Sequence, residues 1–155
     1  MDAVSPCFLG VIAIVAFSLT TTPAAAAAPN GRYTKNGGTV LDTKTKLTWQ
    51  QAAPSTMLDW ADAKAYCASS GVTAILGGTG RLPTVKELLT IVDYSQSSAP
   101  LIDPIFVGPT ALYDYWSSSP LVGSSTNFWV VDFGYGRPTD VYGVTTATTG
   151  VRCVR

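Results

Sequence analysis

Three cysteines, a scatter of carboxylates and one run of tyrosines and glycines are what this chain offers for chemistry, and no histidine accompanies them. Without an imidazole the commonest general base and metal ligand is missing, which removes Ser/His/Asp and Cys/His nucleophilic schemes. A glycosidase needs two carboxylates about 5 to 10 Å apart. Asp103, Asp114, Asp132, Asp140 and Glu87 are available, but no spacing selects a pair. The same scatter supplies no converging oxygen set for a hard cation, so neither metal nor cofactor is expected. Gly77-Gly78-Thr79-Gly80 has the glycines of a phosphate loop. No Gly-Lys-Ser/Thr closes it and no Gly-x-Gly-x-x-Gly follows a strand, so it reads as a turn. There remains Gly134 to Gly143, where Tyr135, Arg137, Asp140 and Tyr142 would present aromatic faces and hydrogen-bonding groups from an exposed loop or hairpin tip. These four are the candidate ligand-binding residues, and an ordinary solvated tip is the alternative.

The chain has 155 residues, enough for one domain. Its amino-terminal part stands apart: Phe8 to Leu19 is an apolar run of about a dozen residues, short of the ~20 that span a bilayer, and a small-residue tract follows. This reads as a secretory signal over residues 1–28, with the domain over 29–155. No Lys or Arg precedes the apolar run, which departs from the usual pattern, and a short uncleaved anchor is the alternative. Removing the signal removes Cys7 and leaves Cys67 and Cys153. In an exported protein that even count implies a disulfide. Closing a loop of about 85 residues, it would stabilise by roughly 4 to 5 kcal/mol in the chain-entropy picture. Formal charge is zero and the basic residues are never clustered, so no nucleic-acid footprint is present. Charged residues are only 13% of the chain, while Gly, Ser, Thr, Tyr and Trp abound, which suits an exported β-rich domain with a hydroxylic surface.

The elements that must hold the candidate residues are legible in part. Arg81-Leu82-Pro83-Thr84-Val85-Lys86-Glu87-Leu88 announces a helix: Thr84 caps it, Glu87 reaches back to the cap, and Leu88, Ile91 and Val92 form a buried stripe. Arg81 beside it calls for a carboxylate, with Asp93 or Asp132 as partner. An earlier helix begins at Asp59, with Trp60, Ala63 and Cys67 on one face, and stops at Ser69-Ser70-Gly71. Thr39 to Leu41 and Leu47 to Gln50 read as two strands joined by a polar turn, with Trp49 in the core. Further on, Tyr113 to Ser119, Asn127 to Phe133 and Gly150 to Arg155 read as strands. In the middle one, Trp129, Val131 and Phe133 share a face opposite Phe128 and Val130, and Trp116 and Trp129 pack inward.

Taken in order, Trp60-x-x-Ala63-x-x-Tyr66-Cys67, Arg81-Leu82-Pro83-Thr84-x-x-Glu87-Leu88, Ile102-Asp103-Pro104, Tyr115-Trp116-Ser117-Ser118-Ser119, Trp129-x-Val131-x-Phe133 and Val151-Arg152-Cys153-Val154-Arg155 resemble the Lcl C-terminal domain family of bacteria. The resemblance runs from about Gly38 to Arg155. It implies an α+β, C-type-lectin-like fold: two helices packed on a mixed or antiparallel sheet, long loops, and one disulfide from the first helix to the last strand, which Cys67 and Cys153 match. One member of that family is the terminal domain of a collagen-like adhesin that recognises sulfated polysaccharides. This chain has no collagen-like repeat, and it lacks the Glu-Pro-Asn and Trp-Asn-Asp signatures that hold calcium and sugar in true C-type lectins. The expectation is a non-enzymatic recognition module, secreted, periplasmic or at the cell surface, that binds a glycan or a protein surface. No nucleic acid and no membrane span after signal cleavage are expected. An envelope accessory or assembly domain without a small ligand is the alternative, and a polysaccharide hydrolase the weaker one.

Overall fold

The computed structural model describes residues 31–108, 114–142 and 148–155, apart from the side chains of 141 and 142. The signal segment and Cys7 lie outside the described residues. Two small sheets, three short helices and a threaded carboxy terminus make the domain. The first sheet is β1 (Tyr33–Asn36), β2 (Thr39–Asp42) and β3 (Thr48–Gln50), paired antiparallel in that order. The strand at Tyr33 adds to the two expected. It turns into β2 at Gly37, and the Arg32 side chain anchors its start by two hydrogen bonds, 2.8 and 3.2 Å, to the fully buried Asp42 carboxylate. Sequence spacing gave no hint of this ion pair. Burial works against the ionised Asp42, but hydrogen bonds from Arg32 and the Lys44 amide outweigh it and hold its pKa below the usual value.

The helices follow local signals closely. Asp59 caps α1 (Trp60–Cys67), accepting from the Asp62 amide at 2.8 Å. The first helix does end before Ser69, yet that serine caps a second helix, α2 (Ser70–Leu76), where the sequence suggests only a stop. Gly77, at φ 68°, closes α2 in the left-handed region that a side chain disfavours. Among the described residues the helices therefore number three rather than two. The third, α3 (Val85–Thr90), carries the expected capping box. Thr84 Oγ1 accepts from the Glu87 amide at 3.2 Å, and Glu87 Oε2 accepts from the Thr84 amide at 2.7 Å. At six to eight residues, none of these helices is long enough to persist alone. They hold because Ala63, Cys67, Val72, Leu76 and Leu88 are buried.

The second sheet is β4 (Asp114–Pro120), β5 (Asn127–Asp132) and β6 (Arg137–Tyr142), again antiparallel in order. The architecture is thus α+β and its sheets are antiparallel, but among the described residues there are two separate sheets where the resemblance implies one mixed or antiparallel sheet. The β4–β5 ribbon divides the core. Tyr115, Val131 and Phe133 join Val40, Trp49, Leu88, Ile91 and Phe106 on one side. Trp116, Phe128 and Val130 join Ala63, Cys67, Val72, Leu76 and Leu82 on the other. Trp116 is fully buried, and its Nε1 donates to Leu58 O at 2.8 Å. Trp129 is only half-buried, because its cross-strand neighbour is the exposed Asp140 on an edge strand. Trp60 stacks on Phe128 with centroids 3.7 Å apart.

The carboxy terminus is not a continuous strand. Gly150 bridges Tyr115 in parallel, and Val154 bridges both Trp49 and Arg81. Lying between these partners, Val151 to Val154 are buried on both sides of the backbone. Cys153 is joined to Cys67, with Cα atoms 5.3 Å apart and a sequence separation of 86. Both sulfurs sit in fully buried side chains. Arg81 pairs with neither Asp93 nor Asp132. Its guanidinium grips Glu87 by two bonds, 2.7 and 2.8 Å, so the capping carboxylate is itself positioned by the residue that precedes Leu82-Pro83-Thr84. Among the described residues no helix is long and apolar enough to cross a membrane.

Candidate functional site

The segment expected as an exposed loop or hairpin tip belongs to a hairpin and is mostly strand. Arg137–Tyr142 is the edge strand β6, paired residue by residue with β5, and only residues 133–136 form the tip. Its Pro138 sits opposite Val131, and an edge strand tolerates the missing amide donor. The tip is tightly built. Asp132 Oδ1 accepts from the Gly134 amide at 2.7 Å, and Gly136 turns at φ 68°. A Cβ on Gly136 would lie 2.6 Å from the ring of Tyr94, so glycine is required there twice over.

That contact brings in a residue the sequence reading passed over. Tyr94 follows α3 and lies against the tip, its hydroxyl donating to Gly136 O. The turn that carries it is fixed by Asp93, whose carboxylate accepts from the Ser95 amide at 3.0 Å and from Gln96 Nε2 at 2.7 Å. Burial opposes ionisation of Asp93, but the bonds from Ser95 and Gln96 prevail and keep its pKa below the usual aspartate value. Leu101 N donates to Phe133 O at 2.7 Å and Asp93 N to Leu101 O at 2.9 Å, which ties the loop to the hairpin. The signal that marks Tyr94 in sequence is the Asp93-x-Ser95-Gln96 turn, in which an aspartate binds its own following backbone.

Tyr94 and Tyr135 are each 71% exposed. The Arg137 guanidinium lies 5.0 Å from the centroid of the Tyr135 ring. Rings this exposed, on a backbone this constrained, present flat apolar faces at little conformational cost to a partner. The four candidate residues do not form one cluster. Tyr135 and Arg137 sit together at the tip, whereas Asp140 lies further along β6, on the opposite face of the strand from Arg137 and across from Trp129. Tyr142 pairs through its backbone with Asn127, and its side chain lies outside the described residues.

The structure brings one pair of carboxylates into register: Asp114 on β4 lies directly opposite Asp132 on β5. Burial first, and the neighbouring Asp132 charge second, raise the pKa of Asp114, and its Oδ1 has no hydrogen-bond partner among the described residues. No group of three or more His, Cys, Asp or Glu able to hold a metal occurs among the described residues. The serines after Trp116 are committed to the fold. Ser117 Oγ donates to Trp129 O at 2.6 Å, Ser118 N donates to Pro83 O at 2.7 Å, and Ser119 Oγ accepts from the Val85 amide at 3.1 Å.

A family model described as the Lcl C-terminal domain matches residues 38–155. The matched span takes in every helix, both cysteines of the disulfide, the tip and the loop bearing Tyr94. No curated protein matches the chain.

Proposed function

We propose that this chain, which belongs to the Lcl C-terminal domain family, is an exported, non-enzymatic recognition module whose tyrosine-bearing tip binds a glycan or the surface of another protein. One observation carries the reading: Tyr94 and Tyr135, each 71% exposed, belong to one glycine turn, Tyr94 through its hydrogen bond to Gly136 O and Tyr135 as the residue before that glycine, with Arg137 against the Tyr135 ring. An aromatic pair held in water by a hydrogen-bonded turn suits stacking on the apolar face of a pyranose or on an aliphatic side chain, with the guanidinium supplying donors. Export rests on the apolar run near the amino terminus and on a disulfide of the kind that persists in oxidising compartments. A relationship to the C-type-lectin-like fold belongs to the same proposal.

A glycan array, run beside Tyr94→Ala, Tyr135→Ala and Tyr142→Ala, tests the reading. Loss of tenfold or more in binding is expected for the first two, the usual scale for truncating an aromatic anchor. Hits indifferent to both changes would remove the tip from the account. A second reading, polysaccharide hydrolysis, draws on the register of Asp114 with Asp132, since residues opposite one another on antiparallel strands lie about 5 Å apart at Cβ. Any turnover that survives Asp114→Asn and Asp132→Asn dismisses it.

A further inference from the structure

Arg152 is a buried charge with no carboxylate partner among the described residues. It is 2% exposed. Its Nη1 donates to Gln50 O at 2.8 Å and Gln51 O at 2.6 Å, and Nη2 donates to Val107 O at 3.1 Å. The Phe106 and Tyr115 rings flank the guanidinium at 5.2 and 5.5 Å. Carbonyl dipoles and ring faces satisfy part of a cation, but Nε has no acceptor and no carboxylate pairs with it among the described residues. Segments 109–113 and 143–147 contain no Asp or Glu that would supply one. Burial accordingly pulls its pKa below the usual guanidinium value, although arginine stays protonated.

This charge lies at the wall of a cavity of about 340 Å³, within the size range of small-ligand sites. Ile102, Phe106 and Phe133 make its apolar lining, and Gln96 and Ser98 its polar rim. Gly108 lines the same cavity and packs closely on both donors: a Cβ there would stand 2.8 Å from Tyr115 Oη and 3.3 Å from Arg152 Nη2. Tyr115 Oη and Arg152 Nη2 therefore meet at one part of the cavity wall, and any side chain at 108 would press on them.

We propose that this cavity binds an apolar body bearing a single carboxylate, with the carboxylate meeting Arg152 Nη2 and Tyr115 Oη beside Gly108. One uncompensated cation calls for one negative charge, and a planar guanidinium beside a hydroxyl suits a carboxylate. Doubly charged, strongly hydrated anions fit poorly, because the rest of the lining would strip their water without replacing it. The source is either a free small acid or the carboxy-terminal residue of a peptide. This site is distinct from the exposed tip, and its test is separate.

Isothermal titration of the oxidised domain with N-acetyl-phenylalanine and with Ala-Ala-Phe, each as acid and as amide, tests the proposal. The acids are expected to bind about tenfold more tightly than the amides, the margin of a charge-assisted over a neutral hydrogen bond. A tighter tripeptide assigns a chain end as the ligand, and equal acids assign a free small molecule. Gly108→Ala should bring acid binding down to the level of the amide. Ser98→Trp, a change at the exposed rim that blocks the mouth without touching the core, should abolish both, and Tyr135→Ala should alter neither. Acid and amide binding equally, no heat up to millimolar acid, or acid binding unchanged in both Gly108→Ala and Ser98→Trp would each overturn it.

Discussion

Replacing both Cys67 and Cys153 by alanine is the perturbation whose size follows most directly from the fold. The bond closes a loop spanning 86 residues, from the end of α1 to the threaded carboxy terminus. Loop-closure entropy for that length amounts to about 4 to 5 kcal/mol at 25 °C. Removing two fully buried sulfurs adds roughly 1 kcal/mol each in lost burial. Natural domains are stable by about 5 to 15 kcal/mol, so the variant should sit close to unfolding. Urea titration followed by tryptophan fluorescence reads this well, because Trp49 and Trp116 are both fully buried. With a urea dependence of about 1 to 3 kcal/mol per molar, a loss of about 6 to 7 kcal/mol should lower the midpoint by at least about 2 M. A fall of less than about 0.5 M, or unchanged unfolding of the wild type in strong reductant, would show that the carboxy terminus is held by its hydrogen bonds and packing alone. The loop-entropy argument would then be wrong for this domain.

Three further outcomes follow from the ionised groups. The Arg81 bonds first, with those from Thr84, hold Glu87 down to about 2 from the usual 4.5, so its contribution is fully present above pH 4.5 and is lost as pH falls towards 2. With Arg81 half exposed, we expect Glu87→Gln to cost about 1 kcal/mol at pH 7 and almost nothing near pH 2, read from urea midpoints across pH. Asp114→Asn relieves a like-charge pair and should stabilise by about 0.5 to 1 kcal/mol at neutral pH. Because the folded-state pKa of Asp114 is raised, that gain opens as pH rises past the ordinary 3.8 and vanishes below it. Arg32→Met strands the buried Asp42 carboxylate and should cost about 3 kcal/mol in thermal or urea unfolding, with part recovered on adding Asp42→Asn.

What could be read from the sequence was what is decided locally. Thr84 and Glu87 are three residues apart, so their reciprocal bonds follow from spacing alone, as does the Asp59 cap. The disulfide followed from a count of two. Elements set by distant partners were hidden. Arg137 to Tyr142 contains Pro138 and Asp140, which strands disfavour, and it is a strand because β5 offers it an edge in register. α2 includes Gly71 and the β-branched Val72 and Thr73, and it survives through a serine cap, a glycine close and the burial of Val72 and Leu76. Of the candidate site, Tyr135 and Arg137 were found together, but Tyr94 comes from a segment about forty residues away and meets them only through Gly136. Nor does Val151-Arg152-Cys153-Val154 say which side chain turns inward, since partners on both sides of the backbone bury them all.

Amide chemical-shift mapping of the ¹⁵N-labelled oxidised domain, during titration with whichever glycan or protein segment binds it, addresses recognition at the tip most directly. The largest shifts are expected at Tyr94, Tyr135, Gly136 and Arg137, with the β1–β2 sheet unmoved. Shifts concentrated elsewhere, with those four amides unchanged at saturation, would contradict it.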